Sequence, residues 1–367
     1  MGIGWAILIW SGIGAQVAAG LGVISPADSD VKIAPIFGPE SPGPYKHPAS
    51  IAEFTNGDWY IAYYGGAGEY DTKTAVYGSR KPSGSAEWSK PVVIADTPMH
   101  SDGNAVIWQA PDDIIWLFYV VRYGDTWSHS IIQAKISSDL GKTWSDPMVL
   151  SLKKGMMVRG RPIVNSAGDY LLPVYLETGE DKESVGPDSS SLFLYFDRPK
   201  ETWQPTNLVR SRIGNIQPAV DIIEGDHLVA FCRRGGGYDG RTDGVIVRTE
   251  SRDGGRSWSP GVDTPFPNPN AAVDFIRLRS GKHLLVYNNS FSERSPLTLA
   301  LSTDKTQTFP YQRNIATGND SFAYPYIVQG SDGHLLLVFT SNERTVINLA
   351  IFTEGAIEAP KYRVPAR

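Results

Sequence analysis

Six times along the chain, two apolar runs are separated by a short polar turn. The runs are rich in Ile, Val, Leu, Phe and Tyr, and the turns contain Asn, Asp or Gly. The six pairs lie at residues 51–64, 104–121, 161–177, 217–234, 272–289 and 323–340. Short apolar runs bounded by turn residues are typical of β-strands, and two in succession predict a hairpin. Because runs such as residues 114–121 are nearly continuous, we expect strands that are buried on both faces.

A short motif follows most of these hairpins. Residues 137–144 read SSDLGKTW, residues 251–258 read SRDGGRSW, and residues 302–309 read STDKTQTF. Eroded copies end at Trp88 and Trp203, so the five aromatic positions are spaced by 56, 59, 55 and 51 residues. We expect the Asp to accept backbone N–H bonds and the Gly to supply a positive φ. The aromatic ring should then fill the space between neighbouring sheets.

The repeat determines the predicted domain organisation. A chain of 367 residues could hold two or three ordinary domains. Six units, each with a hairpin, a third strand and the motif, instead predict one all-β domain over residues 31–361, a six-bladed β-propeller with four-stranded antiparallel blades. The 37 Gly and 26 Pro residues are then its turns. The sixth unit, which ends near residue 354, has no recognisable motif.

The first 24 residues contain no charged side chain. An apolar run that ends in small residues, here Val17-Ala18-Ala19, is typical of an export signal, although such signals usually begin with Lys or Arg. An uncleaved anchor is the alternative, because about 20 apolar residues can span a bilayer. We therefore expect residues 1–25 to be a signal peptide or an N-terminal anchor. The remaining chain would be secreted or periplasmic. If the segment is an anchor, it would attach the protein to a membrane.

Composition narrows the possible partners. A net charge of -5 makes a nucleic acid an unfavourable ligand. The single cysteine, Cys232, excludes an intramolecular disulfide and a cysteine metal cluster, and we expect it to be buried. The six His residues include no H-x-x-x-H pair, so a zinc site is not indicated. The sequence therefore predicts no metal, no cofactor and no protein partner.

Propeller geometry predicts which residues meet at the axis. The inner strands begin on one face, and the loops between second and third strands return to that face. These positions carry an excess of basic residues: Lys46, Arg159, Arg161, Arg233, Arg234, Arg294 and Arg344. In an acidic protein, such a cluster predicts an anionic ligand, and the planar guanidinium fork suits a carboxylate. Some of these residues could instead pair with loop carboxylates.

With its motifs, repeat length and basic pocket, the chain resembles the Asp-box (BNR-repeat) sialidase superfamily over roughly residues 35–357. The resemblance implies three arginines that hold a substrate carboxylate, a Tyr nucleophile paired with a Glu, and an Asp as acid/base. By order and spacing it implies that Tyr324 is the nucleophile and that Arg294 is the third arginine. Arg233 or Arg234 matches the second arginine. The acid/base would be Asp71, with Glu69 as a substitute.

Two positions depart from the family pattern. Where the family has Phe/Tyr-Arg-Ile-Pro, this chain has Tyr45-Lys46-His47-Pro48. Near the fourth inner strand, where the family has the carboxylate that deprotonates the tyrosine, it has Gln217. A neutral amide cannot act as a base toward a phenol with a pKa near 10. Glu177 or another loop carboxylate is a candidate replacement.

Three functions remain open from the sequence. The first is an exo-acting glycoside hydrolase that removes a terminal acidic sugar such as sialic acid, with Tyr324 and Asp71 in the roles that the resemblance implies. The second is a lyase or glycosidase that acts on a uronate-containing polysaccharide, in which His47 and Tyr324 supply the proton chemistry. The third is a non-catalytic propeller that binds an acidic carbohydrate.

Overall fold

The computed structural model describes residues 30–40, 42–182, 184–197 and 200–364. Its strands form six antiparallel sheets, or blades, which follow one another along the chain. Five of these sheets have four strands. In the remaining sheet, which is blade 3, the inner strand is interrupted and forms two segments. The predicted all-β, six-bladed β-propeller with four-stranded blades is therefore confirmed. Residues 1–25, the predicted signal or anchor, lie outside the described residues.

The strands of the first three blades are given from the inner strand outward. Blade 1 contains Tyr45–Glu53, Trp59–Gly66, Ala75–Lys81 and Val92–Ala95. Blade 2 contains Ser101–Gln109, Ile115–Arg122, Ser130–Ser137 and Met148–Ser151. Blade 3 contains the interrupted inner strand Met156–Val158 and Ile163–Val164, then Tyr170–Leu176, Ser190–Asp197 and Thr202–Pro205.

The remaining three blades have the same order. Blade 4 contains Asn215–Glu224, His227–Arg234, Val245–Ser251 and Val262–Pro267. Blade 5 contains Asp274–Arg277, His283–Asn288, Leu297–Ser302 and Tyr311–Ala316. Blade 6 contains Ala323–Gln329, Leu335–Ser341, Val346–Phe352 and Val31–Phe37.

The ring is closed by the strand that comes first in the chain. Val31–Phe37 pairs antiparallel with Val346–Phe352, with Val31 opposite Phe352 and Ile33 opposite Ala350. It supplies the fourth strand that the sixth sequence unit lacks. Because this pairing joins residues more than 300 positions apart, no local pattern in the sequence indicates it.

The Asp-box motifs have the predicted hydrogen bonds. Asp139 Oδ1 accepts from the backbone N–H groups of Lys142 and Thr143 at 3.0 and 2.9 Å, and Asp139 Oδ2 accepts from the Thr143 hydroxyl at 2.7 Å. Asp253 repeats this pattern, with 3.0 and 2.9 Å to the backbone N–H groups of the two corresponding residues. Gly141 supplies the expected positive φ, at 74°. The motif is therefore a turn stabilised by its own side chains.

The aromatic residue of each Asp-box packs against the preceding blade. Trp258 of blade 4 stacks on Phe193 of blade 3, with ring centroids 3.8 Å apart and 16° between the planes. Trp203 of blade 3 meets Trp116 and Phe118 of blade 2 edge to face, with both centroid distances at 5.9 Å. The core consequently lies between neighbouring blades. The same packing buries Cys232 completely, as expected, and burial raises the pKa of its thiol to about 12.

Replacing Trp258 with alanine should destabilise the propeller strongly. The side chain is 5% exposed and its indole N–H donates to the Gly255 carbonyl oxygen at 3.0 Å. Truncation of a buried Trp costs about 3–5 kcal/mol of the free energy of unfolding, which urea unfolding followed by circular dichroism would measure. The matched control is Trp88→Ala, at the equivalent but partly exposed position, where we expect a smaller loss. Equal losses of stability in the two variants would contradict the view that burial between blades makes Trp258 stabilising.

Helices contribute little to the described residues. Three single-turn 3₁₀ helices occur, at Trp127–His129, Glu354–Ala356 and Pro360–Tyr362. Within the described ranges, no helix has the length and apolar character needed to cross a membrane.

Candidate active site

Backbone strain marks the entrance of four inner strands. Asn104, Gln217, Asn270 and Tyr324 have φ values of 46°, 53°, 58° and 55°, in the left-handed region that residues other than glycine rarely adopt. The ladders next to Asn104, Gln217 and Tyr324 contain register shifts. Bulges re-aim side chains, and such strain, about 1–3 kcal/mol per residue, clusters at functional sites. These bulges direct three of the side chains into one pocket on the propeller axis.

Tyr324 lies among arginines at this pocket. Its hydroxyl accepts hydrogen bonds from Arg233 Nη1 at 2.9 Å and from Gln217 Nε2 at 3.4 Å. The guanidinium groups of Arg159 and Arg294 lie 5.7 and 5.6 Å from the centre of its ring. The tyrosine is partly exposed, so its hydroxyl can reach a ligand in the pocket.

Hydrogen bonds fix the orientation of Arg233, which is 3% exposed. Its Nε donates to Asn270 Oδ1 at 2.6 Å, and its Nη1 donates to Gln217 Oε1 at 3.2 Å as well as to Tyr324. Its Nη2 donates to the Tyr238 hydroxyl at 3.2 Å. Arg233 is therefore a rigid donor, and the Tyr238 hydroxyl occupies a position that a ligand oxygen could take.

Arg294 lies between two tyrosine rings. Its guanidinium is 5.6 Å from the ring centre of Tyr324 and 5.4 Å from that of Tyr238. Its Nη2 donates to the Asn270 carbonyl oxygen at 3.2 Å. Asn270 thus holds both arginines, Arg233 through its side-chain oxygen and Arg294 through its backbone carbonyl oxygen. The remaining N–H donors of Arg294 make no hydrogen bond to any described residue, so they can serve a ligand.

Arg344 also lines the pocket, but it has a carboxylate partner. Arg344 Nη1 lies 2.5 Å from Glu69 Oε2. The hydroxyl of Tyr45 donates to the same oxygen at 2.8 Å, and the indole N–H of Trp127 donates to Glu69 Oε1 at 3.1 Å. Both oxygens of Glu69 are therefore engaged, and its charge offsets that of Arg344. Arg233, which lines the pocket, and Arg294, which lines an adjoining groove, form no ion pair with a carboxylate of the described residues.

The arginines change the ionisation of Tyr324. Burial alone raises the pKa of its phenol, but the positive charges of Arg233, Arg294 and Arg344 more than offset burial and the opposing effect of Glu69. The resulting pKa is lower than the usual value of about 10. Loss of the phenolic proton is thus easier here than in water.

Glu177 provides a second titratable group on the pocket wall. Burial raises the pKa of its carboxyl to about 7, and attraction to Arg233 offsets that effect only in part. No described residue makes a hydrogen bond to this carboxyl group. A carboxyl with a pKa near 7 holds a proton in much of the protein at neutral pH, which suits a general acid.

The pocket is narrow. Its cavity has a volume of about 50 Å³, below the roughly 300–1,000 Å³ of small-molecule pockets. An adjoining groove of about 720 Å³ is lined by Arg294, Arg344 and Tyr238. Tyr238 is 38% exposed and separates the two spaces. A sugar ring can therefore enter only if the Tyr238 side chain or a neighbouring loop moves.

Several residues that the sequence predicts at the pocket point elsewhere. Lys46 Nζ donates to the carbonyl oxygens of Glu40 and Gly43 at 2.8 and 2.6 Å. Arg234 is fully buried, and its Nε donates to the Asn268 carbonyl oxygen at 2.6 Å. Neither side chain lines the pocket, because neighbouring side chains on a strand alternate between faces.

Two arginines of blade 3 lie below the pocket. Arg159 donates to the backbone carbonyl oxygens of Val273, at 2.9 Å, and of Pro325, so it braces neighbouring inner strands. Arg161 forms an ion pair with Asp221 at 3.2 Å, and both residues line a separate pocket. Neither side chain lines the pocket.

Asp71 and His47 also differ from their expected placement. Asp71 Oδ1 accepts from the Lys73 N–H at 2.8 Å in an exposed turn, and Asp71 does not line the pocket. His47 is 1% exposed and packs edge to face on Tyr324, with ring centroids 4.1 Å apart. Burial lowers the pKa of His47 well below its usual value, and nearby arginines lower it further. His47 is thus a neutral residue behind Tyr324.

The structure brings together Tyr324, Gln217, Arg233, Arg294, Arg344 and Glu69 from the predicted set. Glu177, which the sequence offers only as a replacement base for the tyrosine, also lines the pocket. Glu177 directly follows a second strand, which is where the loops begin that return to the pocket face. Among the described residues, no group of three His, Cys, Asp or Glu could hold a metal ion.

Comparison with known proteins agrees with this architecture. Residues 57–337 match the family model of the BNR repeat-like domain. A search of curated proteins finds no match.

Three solved structures illustrate the likeness of fold. The Hadza microbial sialidase Hz136 has a TM-score of 0.71 and 16% identity, over 85% of this chain and 66% of that one, so this chain spans about two thirds of its length. A protein of unknown function from Dyadobacter fermentans has a TM-score of 0.71 and 17% identity, over 88% and 99%. The NanB sialidase from Streptococcus pneumoniae has a TM-score of 0.70 and 12% identity, over 89% and 71%.

Proposed function

Because the chain belongs to the BNR repeat-like domain family, we propose that it is an exo-acting glycoside hydrolase that removes a terminal carboxylate-bearing sugar, such as sialic acid, from glycans. One observation carries the proposal. The hydroxyl of Tyr324 lies 2.9 Å from Arg233 Nη1, and Arg294 lies over its ring. A carboxylate held by the two arginines would place its sugar ring next to this hydroxyl. The sialidase fold of the structural neighbours supports the same reading.

The clamp should bind one carboxylate. Arg344 is already paired with Glu69, which leaves Arg233 and Arg294 to face the ligand. Bidentate pairing of a guanidinium with a carboxylate fixes both position and orientation. Tyr238 bonds to Arg233 and covers Arg294, so we expect the substrate carboxylate to displace its hydroxyl on entry.

Tyr324 would act as the nucleophile. Its oxygen attacks the anomeric carbon and the glycosidic C–O bond breaks, while the leaving oxygen takes the proton of Glu177. The product of this step is a covalent glycosyl-tyrosine. The phenolic proton of Tyr324 is lost to water at the pocket mouth, and Arg233 and Arg294 offset the negative charges of the tyrosine oxygen and of the substrate carboxylate.

Water completes the reaction. The ionised Glu177 accepts a proton from water, whose oxygen attacks the anomeric carbon, and the bond to Tyr324 breaks. The protonated Glu177 and the tyrosine oxygen are restored. Because two displacements occur at one carbon, we expect the anomeric configuration to be retained, which proton NMR of the first-formed sugar would report.

A substrate panel tests the proposal. Aryl glycosides of sialic acid, of related nonulosonates and of uronic acids would be incubated with the full chain, and phenol release would be measured. A matched sialoside with its carboxylate reduced to an alcohol is the control, and we expect it to react at least about 100-fold more slowly, since a charge-assisted pair of hydrogen bonds is lost.

Two results would redirect the assignment. New absorbance from an unsaturated uronate would indicate a lyase, a reaction for which the buried His47 offers no exposed base. Binding of an acidic sugar without product would indicate a binding module.

The place of action is a separate proposal. The uncharged segment at residues 1–24 supports export, and export would bring the enzyme to extracellular glycans. Mass spectrometry of the protein recovered from its native host would show whether residues 1–25 are removed. An intact, cytoplasmic chain would contradict the proposal.

A further inference from the structure

The hydroxyl of Tyr324 faces donors only. Arg233 Nη1 and Gln217 Nε2 lie 2.9 and 3.4 Å from it. The orientation of Gln217 follows from Arg233, because a guanidinium has no acceptor and the amide oxygen must face it. The amide nitrogen is then turned toward Tyr324. Among the described residues, no acceptor lies within hydrogen-bond distance of the Tyr324 proton.

From this geometry we propose that Arg233 and Gln217 hold Tyr324 as a phenolate, so that the site works without a carboxylate base. The proton leaves to water at the pocket mouth before the substrate binds, and the negative oxygen accepts both hydrogen bonds. The chemical purpose rests on the proposed function, since a phenolate would be the nucleophile of that reaction. The ionisation itself can be tested without any substrate.

The backbone reinforces this arrangement. Tyr324 and Gln217 both occupy left-handed conformations at bulges of their inner strands, which aim the two side chains at one point. Asn270 holds Arg233 through a 2.6 Å hydrogen bond to Nε. The donors are therefore positioned before any ligand binds, and they need no rearrangement to stabilise negative charge.

The charges around Tyr324 have a positive balance. The titratable groups around Tyr324 are of three kinds. They are the cations Arg159, Arg233, Arg294 and Arg344, the carboxyl groups of Glu69 and Glu177, and the neutral residues His47, Tyr64 and Tyr175. Glu69 is paired with Arg344, and burial raises the pKa of Glu177 to about 7. The combined effect lowers the pKa of Tyr324 despite its burial.

Ultraviolet pH titration tests the inference. Tyrosinate absorbance near 295 nm would be recorded for the full chain and for Tyr324→Phe, and the difference would report Tyr324 alone. We expect its midpoint to lie below the pH at which turnover is measured, because only then is Tyr324 mainly a phenolate before the substrate binds. Arg233→Gln should raise the midpoint by about 1–3 pH units, the usual effect of losing an adjacent opposite charge. Arg279→Gln, which removes an arginine from an exposed turn on the opposite face, should leave it unchanged.

Gln217→Glu provides a second, independent variant. It supplies the carboxylate that a Tyr–Glu pair would need. If the inference holds, the new negative charge raises the Tyr324 midpoint and lowers turnover. A gain in turnover, or a wild-type midpoint above the pH of the turnover assay, would overturn it. The titration can fail while sialosides are still cleaved, and cleavage can be absent while the titration succeeds, so the two proposals are tested separately.

Discussion

Tyr324→Phe is expected to reduce kcat on a sialoside by about 10⁴- to 10⁶-fold, the range found when a covalent nucleophile is removed. The change deletes one oxygen atom. The phenyl ring keeps its edge-to-face contact with His47 and its position between Arg159 and Arg294. Stopped assays of phenol release would measure kcat, and calorimetry with free sialic acid would measure binding.

Binding should respond far less than turnover. Arg233 and Arg294 remain in place because Asn270 holds both, so the carboxylate clamp survives the substitution. The matched control is Tyr175→Phe. The Tyr175 hydroxyl lies in the same pocket and accepts from Asn104 at 3.0 Å, but no arginine donates to it, and we expect its loss to change kcat less than about tenfold. Unimpaired cleavage by Tyr324→Phe would remove the tyrosine from the mechanism.

The fold could be predicted because its signals are local. An Asp-box such as residues 251–258 contains its own hydrogen bonds, from Arg256 and Ser257 to Asp253, so eight letters are enough to identify it. The closure of blade 6 by Val31–Phe37 could not be predicted in this way. That strand is defined by a partner at the far end of the chain, and its own burial pattern is irregular.

The sequence could predict which residues lie near the pocket, but not which of their side chains point into it. The starts of the inner strands do contain Gln217 and Tyr324, and the loops do contain Arg294 and Arg344. Whether a side chain enters the pocket depends on bulges and on the alternation of side chains along the strand. A register shift of one residue turns each side chain to the opposite face. Arg233 and Arg234 are neighbours in sequence, yet one binds Tyr324 and the other binds loop carbonyl oxygens.

Glu177 illustrates a different limit. The sequence shows its residue type and place, and from these it is a candidate base for the tyrosine. Its suitability as an acid depends on a pKa raised by burial to about 7. Asp71 fits the family order better, but its carboxylate is hydrogen-bonded within its own turn. Burial and local hydrogen bonds favour Glu177 for the role that we propose, and neither follows from spacing.

Glu177→Gln is expected to slow cleavage of a glycoside with a sugar leaving group by about 10²- to 10⁴-fold, the usual contribution of a general acid. A nitrophenyl glycoside should lose much less, because its leaving oxygen needs no proton. The pH dependence has a definite sign. Glu177 acts in its protonated form, so kcat/KM should fall as the pH rises through about 7, and this alkaline limb should be absent in the variant.

Asp71→Asn separates this assignment from the family pattern. The amide oxygen of Asn can still accept from the Lys73 N–H, so the turn should persist. Because Asp71 does not line the pocket, kcat on the sugar leaving group should remain within about twofold. If Asp71 were the acid, the dependence on the leaving group would appear in this variant and not in Glu177→Gln. That outcome would require the exposed turn to fold over the bound substrate. The two variants, measured on both leaving groups, thus decide which carboxyl group gives up the proton.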